Sequence, residues 1–253
     1  MRILAVLAGL FFVVGTLPQA ISPWGAVTLS NTSGVSDPNL HRWSAALAGG
    51  PDCGMAAILF YLAWRPLRAP AVVQWIALAV IVFLTANVPF VGPAVALVAV
   101  PVVLVLVAYP APRDLLTPPW IDGFSPPRLA VGTLVAVVLV ADAALALASQ
   151  LRGTDELARN YDSAANAEHL INVALAALLG GMRRLGSRPL AAMAGAVVAF
   201  LGAAAITVPS NPGSWGTVGG AVGVAAGLAL VALVAYEWRT QPSTTRVAPS
   251  HQR

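Results

Sequence analysis

Lysine is absent from this chain of 253 residues, cysteine occurs once, and charged side chains make up only 9% of it. Each shortage excludes something. A soluble domain of this length carries about a quarter charged residues, so too few are present to cover a water-facing surface. The single cysteine, Cys53, excludes an internal disulfide and any Cys-x-x-Cys redox or zinc chemistry within one chain. All 14 basic residues are arginine, a bias that fits GC-rich bacterial coding. They lie in short stretches between apolar runs rather than in a basic patch interleaved with aromatics, which argues against nucleic acid as a partner. No phosphate-cradling glycine loop follows a strand, and neither a Ser/His/Asp order nor a paired aspartate motif for prenyl phosphates occurs. The sequence therefore calls for no cofactor.

What remains is apolar: 58% hydrophobic residues and a positive mean hydropathy. This composition predicts an all-α, polytopic transmembrane helical bundle of about eight spans, with the lipid bilayer as its first partner. The first four spans, near 3–21, 38–64, 69–88 and 93–110, make up residues 1–110. Residues 111–127 form a cytoplasmic loop. Spans near 128–149, 163–181, 189–208 and 216–237 fill residues 128–238, and 239–253 is a polar, disordered cytoplasmic tail. A secretory signal peptide competes for the first run. However, Leu17-Pro18-Gln19-Ala20 puts proline where a cleavage site wants a small residue, which favours a retained helix. Residues 22–37 read as a turn-rich external loop, Asp37-Pro38 as the cap opening the second helix, and Ser163 as the cap of the sixth.

Orientation follows from the arginines. With the N-terminus inside, Arg2, Arg65, Arg68, Arg113, Arg128, Arg183, Arg184, Arg188, Arg239, Arg246 and Arg253 fall inside, and Arg42, Arg152 and Arg159 outside. That asymmetry predicts a multi-pass protein of the cell (plasma) membrane with both termini cytoplasmic. Six of the seven tryptophans fall near span ends, as an interfacial belt requires; Trp75 alone lies well inside one. Arg68-Ala-Pro before the third span and Val88-Pro89 after it recur as Arg188-Pro and Val208-Pro209, 120 residues later. Such an offset would make two parallel four-helix repeats about an axis along the membrane normal. It would pair Asp52 with Asn172.

The second span is the unusual one. It carries Gly49-Gly50-Pro51-Asp52-Cys53 near its middle. Pro51 removes a backbone donor and predicts a helix kink, and an ionised Asp at helix centre costs roughly 2.5–3.5 kcal/mol on insertion scales. An external loop, Arg42, then Gly49-Gly50 and Asp52 ahead of a Gly/Met/Ala-rich span resembles the small four-helix DoxX-like membrane proteins. That resemblance covers residues 1–110, departs at Pro51, and implies a four-helix module without a defined activity.

Asp52 and Asp142 are the carboxylates inside spans, and both count to the outer half of the membrane. Each is a proton- or cation-linked group facing a wet cavity, or a polar pin bonded to a neighbouring helix. Asn166, Glu168, His169 and Asn172 open the sixth span. Positions 166, 169 and 172–173 share one side at helical spacing, as a polar stripe facing other helices or as that helix's wet first turn. The set His41, Asp52, Glu168 and His169 has no His-x-x-x-His or Glu-x-x-His spacing, so no metal site is expected. Gly219, Gly223 and Gly227 form a Gly-x-x-x-Gly ridge for close helix packing within the bundle, and Cys53 reads as a small packing residue. Together these predict small-molecule or ion movement through an outward-facing polar cavity, linked to protons. The alternative is a non-catalytic membrane subunit that binds a partner protein. A third reading, an intramembrane enzyme on an isoprenoid or lipid, would make Asp52 a general acid.

Overall fold

The computed structural model describes residues 1–25, 38–67, 69–153 and 156–240. The Asp37 cap, most of the external loop and the tail beyond Thr240 lie outside the described residues. Among the described residues the chain is helical apart from turns and one isolated bridge between Phe124 and Met182. The helices are α1 (Arg2–Ala20), α2 (Arg42–Trp64), α3 (Pro70–Val91), α4 (Val100–Val107), α5 (Arg113–Leu116), α6 (Pro126–Arg152), α7 (Glu156–Arg159), α8 (Asp162–Gly180), α9 (Ser187–Thr207) and α10 (Gly216–Thr240). Short 3₁₀ segments precede α2 (Pro38–His41) and α4 (Pro93–Ala99).

Element ends follow local chemistry. Proline occupies the first turn of α3 and α6, where its missing N–H has no partner to lose. Gly153 closes α6 in the left-handed conformation, its N–H bonded to the Ser149 carbonyl. Gly92, at φ +101°, turns the chain out of α3. Two sequence expectations need correction. Ser163 is not the cap of α8: the helix begins at Asp162, after Tyr161 at φ +64°. The fourth span is not one α-helix over 93–110. It is seven residues of 3₁₀ followed by eight of α, because Pro93 and Pro101 leave backbone donors missing along it.

Six helices are long and apolar enough to cross a membrane: those within Arg2–Trp24, Asn39–Trp64, Pro70–Val91, Pro126–Arg152, Ser187–Thr207 and Gly216–Thr240. Pro93–Val107 is apolar but short. α8 has 19 residues, long enough to span, but Asp162, Asn166, Glu168, His169 and Asn172 lower its hydropathy. The fold explains how so polar a helix is tolerated. α8 sits at the centre, packed on α2, α3, α6 and α9, and hides its polar side chains from the surface.

Around it α1 packs on α2 and α4, α2 on α9, α9 on α10, α10 on α6, and α3 on α4 and α8. Val14 on α1, Leu134 on α6 and Val218 on α10 point outward and exposed, an apolar exterior suited to lipid. Trp24, Trp64, Trp120 and Trp238 are exposed, but Trp43 is buried and stacks edge-on against Trp215 at 5.2 Å. That pair belongs to the interior rather than to an interfacial belt.

The glycine ridge is close to where the sequence placed it. A Cβ on Gly220 would lie 2.6 Å from the Gly202 carbonyl oxygen, and Gly223 and Gly227 likewise press on α9 at Gly202, Gly195 and Ala199. Gly219 faces only Trp215, the residue just before its helix. The packed face of α10 is therefore 220, 223 and 227, and its partner on α9 is also glycine. Gly220→Val should cost about 1–3 kcal/mol by overpacking, read as a lower melting point in detergent, while Gly219→Ala should be near neutral.

Candidate functional site

α2 runs unbroken through Pro51. The two glycines before it have separate reasons. A Cβ on Gly49 would collide with the Ala20 backbone of α1, and one on Gly50 would lie 2.6 Å from the Phe200 ring of α9. Close approach on both sides fixes α2 and presents Pro51 and Asp52 to α8.

Four residues from the sequence-derived set meet there. His169 Nε2 lies 3.4 Å from Asp52 Oδ1, and Nδ1 lies 3.1 Å from Glu168 Oε2 and 2.6 Å from the Ala165 carbonyl. Asn172 Nδ2 donates to Glu168 Oε1. The Trp75 indole N–H donates to the Asn172 backbone carbonyl at 2.8 Å, tying α3 to the same point. Glu168, His169 and Asn172 are all buried, at 4%, 9% and 7% exposure. They are therefore not a wet first turn.

These groups form one wall of a cavity of about 100 Å³. Its other walls are apolar: Phe12 of α1, Met55 of α2, Ala79 and Phe83 of α3, Ala99 and Val102 of the broken fourth segment, and Met193 of α9. Asn172 Oδ1, with its amide group turned by the bond to Glu168, is buried and accepts no hydrogen bond. A buried orphaned acceptor is unusual, because leaving it unpaired costs about 1–3 kcal/mol.

From this cavity a polar seam runs between α2 and α8 to one end of the bundle. Ser44 Oγ donates to Asn166 Oδ1 at 3.0 Å, and further out His41 Nδ1 lies 2.8 Å from Asp162 Oδ2, with Glu156 at 3.7 Å from its Nε2. Asp162, Asn166, His169 and Asn172 are spaced by three or four residues and so share one helical face. The ten residues from Asp162 to Asn172 rise about 15 Å, half of a hydrocarbon core of about 30 Å. The sequence names Asn166 in the polar stripe of α8 and His41 in the set weighed for a metal, but neither Ser44 nor Asp162 was a candidate. The signal was present in the period of α8 but had no visible counterpart on α2.

Asp142 is elsewhere. It accepts the Trp215 indole N–H at 2.8 Å and does not line the cavity, so it pins α10 to α6. Cys53 faces Thr16 of α1, at 3.9 Å from its hydroxyl.

The opposite end of the bundle holds a second polar cluster. Arg128 bonds Glu237 at 2.9 Å and donates to the Gly180 and Met182 carbonyls, capping α8 at its C-terminus. Glu237 also accepts from Ser125 and faces Arg188 at 3.6 Å. Arg184 donates to the carbonyls of Asp114, Thr117 and Pro118. Beside it, burial and the hydrogen bond to Asp114 hold the Tyr109 phenol well above the usual tyrosine range. This cluster ties loops and helix ends together.

A bundle of apolar helices around a buried acid–imidazole–amide cavity defines the class: a multi-pass helical membrane protein. Comparison with family models, curated proteins and solved structures finds no match to the chain.

Proposed function

We propose that the protein moves a small molecule or ion, linked to protons, through the cavity at Asp52, Glu168, His169 and Asn172. The observation that carries this reading is the convergence of three titratable side chains, Asp52, Glu168 and His169, on a single cavity. Titratable groups are kept inside a membrane where protons or charged solutes pass. The seam through Ser44–Asn166 and His41–Asp162 supplies the polar route to one surface.

In this reading α8 and the broken segment Pro93–Val107 join the six long helices as the seventh and eighth spans. The arginine asymmetry then puts both termini in the cytoplasm and the His41 end outside, so the cavity opens outward from the cell membrane. Two parallel four-helix halves, α1–α4 and α6 with α8–α10, are part of the proposal. In its support, the helix contacts exchange in pairs: α1 on α2 matches α6 on α8, α1 on α4 matches α6 on α10, and α2 on α9 matches α8 on α3. The likeness of residues 1–110 to DoxX-like four-helix modules agrees with such a unit.

The test is flux in sealed vesicles with a trapped pH indicator, across a panel of cations, amines and small acids. Solute-driven proton movement should occur with the wild type, persist in Asp142→Asn, and fall to the vesicle background in Asp52→Asn. Movement unchanged in an Asp52→Asn/Asp142→Asn double variant would remove the cavity from the mechanism and favour a subunit that serves a partner protein.

A further inference from the structure

The polar contacts around Glu168 point to its charge and, through it, to the charge the cavity lacks. Glu168 accepts from Asn172 at Oε1, and His169 Nδ1, hydrogen-bonded to the Ala165 carbonyl, lies 3.1 Å from its Oε2, a setting that suits an ionised carboxylate. His169 Nδ1 faces only acceptors, Glu168 and the Ala165 carbonyl, so that nitrogen carries hydrogen. Its Nε2 faces a second carboxylate, Asp52, and one proton between them completes the contact. The sum is one negative charge: two carboxylates and a neutral imidazole give −2, and the shared proton returns one.

No neighbouring helix neutralises it. α3 contains no charged residue. On α6, Arg128 is engaged with Glu237, Asp142 with Trp215, and Arg152 with the Ala148 carbonyl. Arg188 of α9 faces Glu237. Within α2, Cys53 turns to Thr16. Arg42, whose buried Nε has no hydrogen-bond partner, stands ten residues from Asp52, a rise of about 15 Å along the helix. A lone charge at this depth is costly, so the cavity is neutral only with one more proton or one monovalent cation.

Resting on the proton-linked reading above, we infer that the cavity takes a small organic ammonium in exchange for one proton. The available acceptor, Asp52, wants an N–H donor. Trp75, Phe12 and Phe83 on the walls suit a cation with an apolar body. The size is bounded as well: the cavity is smaller than the ~150 Å³ that accommodates benzene, so the body is a few carbons. Among the described residues no three His, Cys, Asp or Glu side chains are grouped to hold a metal ion. The exchange balances in atoms and charge. The ammonium enters with all its hydrogens, one carboxylic acid proton leaves along the seam to water, and the cavity is neutral before and after.

The probe is ethylammonium chloride, titrated by calorimetry into detergent-purified protein in buffers of different ionisation enthalpy, with sodium chloride as the bare-cation control. The expected result is release of about one proton per ethylammonium bound, with affinity rising about tenfold per pH unit where release is complete. Glu168→Gln makes the cavity neutral with the shared proton alone, so that variant should lose ethylammonium binding, and the pH dependence of the wild type carries the test if it does not fold. Heats equal to those of sodium chloride, or binding without proton release, would overturn the inference. Proton flux driven by another solute in the vesicle panel would then still stand, so this inference can fail while the transport reading holds.

Discussion

Arg128→Met is expected to lower the stability of the bundle by about 3–5 kcal/mol, the range found when one partner of a buried ion pair is removed. Arg128 and Glu237 are 2% and 6% exposed, so the stranded carboxylate has little water to turn to. The variant also uncovers the Gly180 and Met182 carbonyls at the end of α8 and breaks the 3.3 Å contact to Ser187. Arg128→Lys should recover little of this, since one ammonium cannot reach the carboxylate and both carbonyls in the geometry of a guanidinium fork. The double variant Arg128→Met/Glu237→Leu should regain most of the loss, because two apolar side chains leave no buried charge. Arg188→Ala should cost less: that side chain is 20% exposed and 3.6 Å from Glu237. With the single Glu237→Leu variant added, unfolding midpoints in detergent form a double-mutant cycle, and a double variant as unstable as Arg128→Met would contradict the pairing.

His169→Leu should abolish proton-linked flux and destabilise the fold as well. Removing the imidazole leaves Asp52 and Glu168 as two carboxylates across a small apolar space, with only Asn172 bonded to either in the cavity. The expected loss near neutral pH is again about 3–5 kcal/mol. It has a pH signature of definite sign. The two carboxylates repel only while ionised, so the deficit relative to the wild type should shrink as pH falls and both take up protons. A deficit constant with pH would mean that His169 contributes by packing alone. Melting points of the wild type and the variant from acid to neutral pH decide this.

The sequence made the helices legible because lipid as solvent leaves few alternatives. Long apolar runs must be helical to satisfy their backbones, and proline and glycine mark their ends. α6, α9 and α10 begin or end within a few residues of where hydropathy placed them. The fourth span was less legible, since a Val/Ala/Leu run looks the same in 3₁₀ and α form until the positions of Pro93 and Pro101 are weighed.

Site residues were legible singly and not as a group. Asp52 and Asp142 looked alike, as one carboxylate each in an apolar run. What separates them is a partner far along the chain: His169 for Asp52, Trp215 for Asp142. Nothing local predicts either. The 120-residue offset came nearest, since it paired Asp52 with Asn172, and both line the same cavity. Arg128 and Glu237 stand at the ends of their helices and read as ordinary flanking charges, though the fold buries them together.

The measurement that tests the central claim most directly is native mass spectrometry of the protein released gently from its own membranes, wild type beside Asp52→Asn. A binding cavity predicts a small bound mass on the wild type that the variant lacks, with both samples otherwise alike in lipid content. A wild type carrying no such mass, or carrying only a partner protein that the variant retains, would contradict it and make Asp52, Glu168 and His169 a structural pin between α2 and α8.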